Sequence, residues 1–375
     1  MSSDHMIAAQ VCMQARVPVF LWGLPGSGKT ATLEVLSVAL GERCWTVILS
    51  IREPSDQGGL PIIRPDGVSM HPPLWAHQLC EIGHGFVLWD EFNAAPPTTQ
   101  SSALRVIHGG YAGDLKLPEA TSHVAAGNPA TQVAGGYDLT AAIANRWTHI
   151  EWPLTAADFC KGMVAGWPEP PICRLSPSWQ NGIAANRGLV SSFIARRPEL
   201  LTVLPKSVSE QGKAWPSPRM WERVAILLAA AESAGHSKRS PVASLLVKGC
   251  VGEACATEWR NWLVNLDLRD PEEYLADPIR TPLPERQDQT MATLDAVAAA
   301  ALDKNRPAKA QAERYYAAFK LVGRLFRSNR GDVAIPASRL LASNMPKGIE
   351  RNLPPELDDI LPILDKAGID WAQRR

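Results

Sequence analysis

Two short stretches hold residues whose types and spacing can do chemistry. The first is Gly23-Leu24-Pro25-Gly26-Ser27-Gly28-Lys29-Thr30, which fits G-x-x-x-x-G-K-[ST] at every fixed position. Its glycines let successive backbone N–H groups converge on one anion at a helix N-terminus. Lys29 can reach the outer phosphates of a nucleoside triphosphate, and the Thr30 hydroxyl can ligate Mg²⁺. The second stretch is Asp90-Glu91, at the end of the apolar run Phe86-Val87-Leu88-Trp89. Asp90 suits a hydrated Mg²⁺, and Glu91 suits a general base that polarises an attacking water. A glycine-rich turn without nucleotide and a strand edge with two solvated carboxylates are the bland alternatives.

These residues need a scaffold. Residues 17–22 read as a strand before the glycine-rich loop, and residues 30–40 as a helix stopped by Gly41. Residues 44–51 read as a second buried strand, and residues 62–71 as a hairpin turning on Pro65-Asp66-Gly67. A helix over 73–82 leads to the strand that ends at Asp90-Glu91. A helix over 101–108, a second hairpin over 111–118, a strand over 121–129, a short helix over 139–144 and a last strand over 148–152 follow. This alternation predicts an α/β parallel sheet with helices on both faces, and ligands at the carboxyl ends of its strands. After residue 152 a proline-rich stretch surrounds one helix, 156–164. Only helical patterns come next: 188–196, 217–234, 240–250, 253–265, 290–303, 307–329, 335–344 and 354–367. The expected division is a P-loop core over 1–152, a linker over 153–186, a helical lid over 187–290 and a helical extension over 291–375.

Further matches surround the two stretches. Trp89-Asp90-Glu91-Phe92-Asn93-Ala94-Ala95-Pro96-Pro97-Thr98-Thr99-Gln100, Pro73-Leu74, Ser55-Asp56 before Gly58-Gly59, and Ala125-Ala126-Gly127-Asn128-Pro129 together resemble AAA+ ATPases of the MoxR type. Phe92 and Ala94 stand where that family usually has Ile and Arg, and Pro73 stands for its usual glycine. The resemblance is strong over about 7–152, looser to about 265, and lapses beyond. It implies ATP and Mg²⁺ at Gly23, Pro25, Gly26, Ser27, Gly28, Lys29, Thr30 and Asp90, with Glu91 catalytic. It implies that Asn128 is the first sensor, which orients the attacking water. Arg146 becomes the arginine finger, reaching a neighbouring subunit's nucleotide. Arg219 becomes the second sensor, touching the γ-phosphate of its own subunit. The hairpins match the family's insertions. The family implies a homo-oligomeric ring, a hexamer, that remodels a protein client together with a separate von Willebrand factor A-domain partner.

Composition narrows the alternatives. The 375 residues carry 38 basic and 38 acidic groups, so no global field draws the chain to nucleic acid or membrane. Seven scattered cysteines without a C-x-x-C pair argue for a reducing compartment. With no signal-peptide pattern and no apolar run of membrane-spanning length, the expectation is a cytoplasmic protein. His71, His77, Cys80, His84 and His108 do not have the spacing of a structural zinc site. Trp22, Trp45, Trp89 and Trp147 are expected in the core. A basic run, Lys304, Arg306, Lys309, Arg314, Lys320, Arg324, Arg327 and Arg330, reads as a solvated face, as a dock for a partner, or as a mate for the acidic stretch Asp267, Asp270, Glu272, Glu273 and Asp277 of a neighbouring subunit. A non-hydrolytic ATP switch and a nucleic-acid motor are the competing functions.

Overall fold

A computed structural model describes residues 3–129, 136–266, 268–303, 306–328 and 330–346. The expected helix 354–367, Asp267 and Lys304 lie outside these residues. In chain order the elements are α1 (Ser3–Gln14), β1 (Val19–Trp22), α2 (Lys29–Leu40), β2 (Cys44–Ile48), α3 (Pro54–Gly58), β3 (Leu60–Arg64), β4 (Gly67–His71), α4 (Leu74–Ile82), β5 (His84–Asp90), α5 (Pro97–Gly109), β6 (Tyr111–Ala112), β7 (Leu115–Lys116), β8 (Ala120–Gly127), α6 (Ala141–Ala144), β9 (Thr148–Glu151) and α7 (Ala156–Ala165). Then come α8 (Ile183–Arg196), α9 (Val208–Gln211), α10 (Pro218–Ser233), α11 (Pro241–Asn265), α12 (Pro271–Ala276), α13 (Gln287–Ala301), α14 (Ala308–Arg327) and α15 (Gly331–Ser343).

The chain divides into two compact units that are discontinuous in sequence. The first is Met1–Ser176, Thr202–Arg223 and Ala234–Ala256; the second is Pro177–Leu201, Val224–Ser233 and Thr257–Arg375.

The first unit is built on a five-stranded parallel sheet, in the order β2-β5-β8-β1-β9. Its inner strands are buried almost throughout, with apolar runs in β1 and β5 and buried Thr121, Ser122 and His123 in β8. Phe20, Val87, Trp89, Ala125 and Trp147 are buried in one core with Phe92, Val106 and Ile143. Of the four tryptophans expected inside, Trp45, Trp89 and Trp147 are buried and Trp22 is half-buried. Trp147 sits in the turn before β9 rather than in a strand. Glycines stop the helices: Gly41 after α2 is left-handed, and its N–H reaches Ser37 O and Val38 O. Both expected hairpins form, as β3–β4 and β6–β7. The stretch after α7 lies along α1. Gln10 donates to Pro171 O (2.7 Å) and accepts from Cys173 N (2.9 Å); Gln14 donates to Cys173 O (2.8 Å) and accepts from Leu175 N (3.2 Å). Two amides one helical turn apart thus satisfy an irregular segment's backbone.

The second unit is helical. Tyr274, Leu294, Val297, Tyr315, Phe319, Leu321, Leu325 and Leu341 form its core, and α13 packs on α8, α14 and α15. Four arginines of the basic run, Arg306, Arg314, Arg324 and Arg330, are used inside the chain. Arg314 pairs with Glu272 through two bonds of 2.5 and 2.6 Å, and Arg306 approaches the same carboxylate at 3.7 Å. Arg324 donates to Thr281 O (2.6 Å), and Arg330 to Pro284 O (3.1 Å). Of the acidic stretch, Glu272 meets this basic run within the same chain. Helix α12, which follows an Asp270 cap, brings Glu272 to Arg314.

Candidate functional site

The glycine-rich loop leaves β1 at the carboxyl edge of the sheet. Gly26 and Gly28 adopt positive φ, 73° and 76°, which a residue with a Cβ adopts only under strain. Gly28 caps the N-terminus of α2, whose first N–H groups have no partner within the helix. Ser27 is buried, and its Oγ has no hydrogen-bond partner among the described residues. Lys29 is also buried. Its Nζ donates to Gly23 O (2.9 Å), Leu24 O (3.0 Å) and Asn128 Oδ1 (3.1 Å). Burial lowers its pKa, and Asp90 opposes that shift. The loop thus holds an ammonium on neutral acceptors, beside an unpaired buried hydroxyl. That is a cradle in which anionic oxygens can replace weaker partners.

Parallel pairing of β2, β5 and β8 brings the second stretch to the same edge. Thr30 Oγ1 donates to Asp90 Oδ2 (2.7 Å), and Glu91 N donates to Asp90 Oδ1 (2.9 Å). A hydroxyl and a carboxylate oxygen in contact are hard donors of the kind Mg²⁺ takes, along with several waters; the donor set fits that ion. Glu91 has φ 52°, a strained value for a residue with a side chain, and its carboxylate accepts a hydrogen bond from Ser50 Oγ. Asn93 is buried and grips Asn128 from both sides. Its Nδ2 donates to Asn128 O (2.7 Å), and its Oδ1 accepts from Asn128 N (3.1 Å). The fold therefore gathers Lys29, Thr30, Asp90, Glu91 and Asn128 at one sheet edge.

Arg146 and Arg219 stand elsewhere. Arg146 precedes β9, so it lies at the amino edge of the parallel sheet, where β1 and β9 are each about 13 Å long. Arg219 accompanies it. Burial and then the charge of Arg219 lower the pKa of Arg146. His108, at the end of α5, is pushed down to about 3, by the surrounding protein first and then by Arg223, Arg146, Arg219 and His123. Arg223 is pushed down to about 10, chiefly by burial. Three arginines repel one another here, and His108 stays neutral beside them. Arg219 stands in the first turn of α10, which begins beside the turn before β9. Ser217 Oγ donates to Asn145 Oδ1 at 2.6 Å.

Sequence reasoning passed over Ser50, Asn93 and Arg223. Ser50 stands at the end of an expected strand, Asn93 inside a matched stretch, and Arg223 one turn after Arg219; none has a fixed place in a nucleotide motif. A groove of about 1250 Å³ occurs in the second unit, between α8, α13 and α15, and none of the expected site residues lines it.

No protein-family model and no curated protein matches the chain. Among solved structures, a "putative ATPase" from Cytophaga hutchinsonii ATCC 33406 is 18% identical over 65% of this chain and 88% of its own, with a TM-score of 0.37. A full-length MCM homolog from Methanopyrus kandleri is 16% identical over 69% of this chain and 54% of its own, with a TM-score of 0.36. NtrX from Brucella abortus is 14% identical over 89% and 67%, with a TM-score of 0.27.

Proposed function

We propose that this chain is an ATP-hydrolysing AAA+ protein of the MoxR-like type, whose complete site forms only between two copies. One observation carries the reading: the phosphate cradle lies at the carboxyl edge of the sheet, while three crowded arginines lie at the amino edge of the same unit. Neither edge holds a whole site. A head-to-tail contact, which closes into a ring or runs on as a filament, places one copy's arginines on the other's triphosphate.

The chemistry follows from the residues. Lys29 exchanges Gly23 O, Leu24 O and Asn128 Oδ1 for β- and γ-phosphate oxygens. Thr30 and Asp90 would hold Mg²⁺, which would neutralise charge developing on the phosphates. Glu91 leaves Ser50 and takes a proton from water. The water oxygen bonds to the γ-phosphorus while the bond to the bridging oxygen breaks, and ADP and phosphate result. Asn128, fixed by Asn93, orients that water. Arg146 and Arg219 from the next copy offset the negative charge that builds on the transferred group. The resemblance in sequence supports a hexameric ring, a protein client and a von Willebrand factor A-domain partner. The intrachain pairing of the basic run gives a nucleic-acid motor no support.

The test is steady ATP turnover by the assembled protein. Glu91→Gln is expected to abolish it with nucleotide binding intact, and Arg146→Ala to lower it by about 10³-fold or more. No turnover in the assembled wild type would sink the reading.

A further inference from the structure

We infer that Arg223 and Asn145 are positioning residues that lock Arg146 and Arg219 into a single rigid element, so that a neighbouring copy meets both arginines together. The inference rests on the proposed interfacial site and extends it to residues that touch no nucleotide.

Four hydrogen bonds tie the finger turn to the start of α10. Trp215 Nε1 donates to Ala141 O (3.1 Å) and Asn145 Nδ2 to Trp215 O (2.8 Å). Ser217 Oγ donates to Asn145 Oδ1 (2.6 Å) and Arg223 to Arg146 O (2.7 Å). Asn145, Ser217 and Arg223 are buried. Asn145 uses both ends of its amide, and a reversed or ionised side chain there would lose one of the two bonds. The bonds leave the Arg219 side chain exposed and hold Arg146 by its own backbone.

Arg223 is the telling member. Among the described residues no carboxylate pairs with it; its hydrogen-bond partners are the Arg146 carbonyl and, at 3.7 Å, Met220 Sδ. Two further arginines stand near, at a distance where charge is felt. A buried cation without a counter-ion is a poor way to stabilise a fold, and an apolar residue of similar volume is usually at least as good. What the guanidinium does, and an apolar chain cannot, is hold the carbonyl of the finger residue.

Arg223→Met separates the two roles. It is expected to keep or raise the thermal midpoint of the full chain, to leave nucleotide binding unchanged, and to lower kcat by about 10- to 100-fold, the loss of one buried charge-assisted hydrogen bond. Arg223→Lys, which can still donate to the carbonyl, is expected to recover most of kcat. The decisive measurement mixes subunits. Arg223→Met copies keep a good Glu91, and Glu91→Gln copies keep a good arginine face. An equimolar mixture is expected to regain about a quarter of wild-type turnover by random head-to-tail pairing. Wild-type turnover matched by Arg223→Met overturns the inference and leaves the ATPase reading intact. A lowered midpoint with no recovery on mixing makes Arg223 merely structural and also overturns it. Absence of wild-type turnover overturns the ATPase reading itself.

Discussion

At the residue scale, the sheet's carboxyl edge holds its groups in a waiting arrangement. Glu91 is bonded to Ser50, and Lys29 to carbonyls and Asn128. In the proposed reaction both change partners when a triphosphate arrives. Releasing Glu91 is one part of the barrier, so Ser50→Ala is expected to raise basal ATP turnover by up to ~10-fold, since a hydrogen bond to a charged group is worth roughly 1.5 kcal/mol. Stopped-flow phosphate release measures it, and an unchanged or lower rate argues that the Ser50 bond does not restrain the base. Lys29, Thr30, Asp90 and Glu91 were legible because the motif fixes their spacing. Ser50 and Asn93 were not, since nothing local to their own stretches tells which strand ends become neighbours; that depends on the order β2-β5-β8.

At the element scale, the sequence showed the alternation of strands and helices and both hairpins, because periodicity and turn residues are local signals. It also showed a break between 250 and 253. The break is Gly252, at φ 81° and ψ 165° inside α11, where an added Cβ would stand 2.8 Å from Ala214 O. Gly252→Ala combines a disfavoured backbone with a clash. It is expected to destabilise the protein by about 1–3 kcal/mol, read as a lower urea midpoint; an unchanged midpoint means the kink relaxes freely. Short α3 and α12 were missed, since each spans less than two turns and carries no periodic pattern. Missing α12 hid the partner that Arg314 finds in its own chain, and the basic run was left open between a solvated face, a dock and a mate for a neighbouring subunit.

At the scale of the whole molecule, pH links to stability through two histidines, His123 buried and His149 half-buried. Trp89 Nε1 donates to His123 Nδ1 at 3.2 Å, and Trp22 Nε1 to His149 Nδ1 at 2.8 Å. Each ring therefore accepts on Nδ1 and stays neutral. Burial pushes His123 down to about 3 and His149 to about 4, from an ordinary 6.5. The unfolded chain takes up these protons near pH 6.5, and the folded chain only near 3 and 4. The stabilisation is complete above pH 6.5 and drains as pH falls toward 4, at up to about 1.4 kcal/mol per unit for each histidine. Urea titrations from pH 7.5 to 4.5 test this. His149→Gln is expected to flatten the slope, and a slope it leaves unchanged counts against His149. Among the described residues no helix is long and apolar enough to cross a membrane.

The discontinuity of the first unit has a consequence during synthesis. Strand β9 is at the margin of the sheet, and Gly249 packs so closely against it that a Cβ there would meet His149 O at 2.5 Å, while Cys250 Sγ lies 3.6 Å from Thr148 Oγ1. Those two residues are translated about 100 positions after their partners, which at ribosomal speeds is a delay of roughly 5–20 s. For that interval a nascent chain holds a sheet margin lacking its α11 cover, the kind of edge that recruits foreign strands. Aggregation of this protein is therefore expected to track translation arrest between residues 152 and 249 more than arrest after 256.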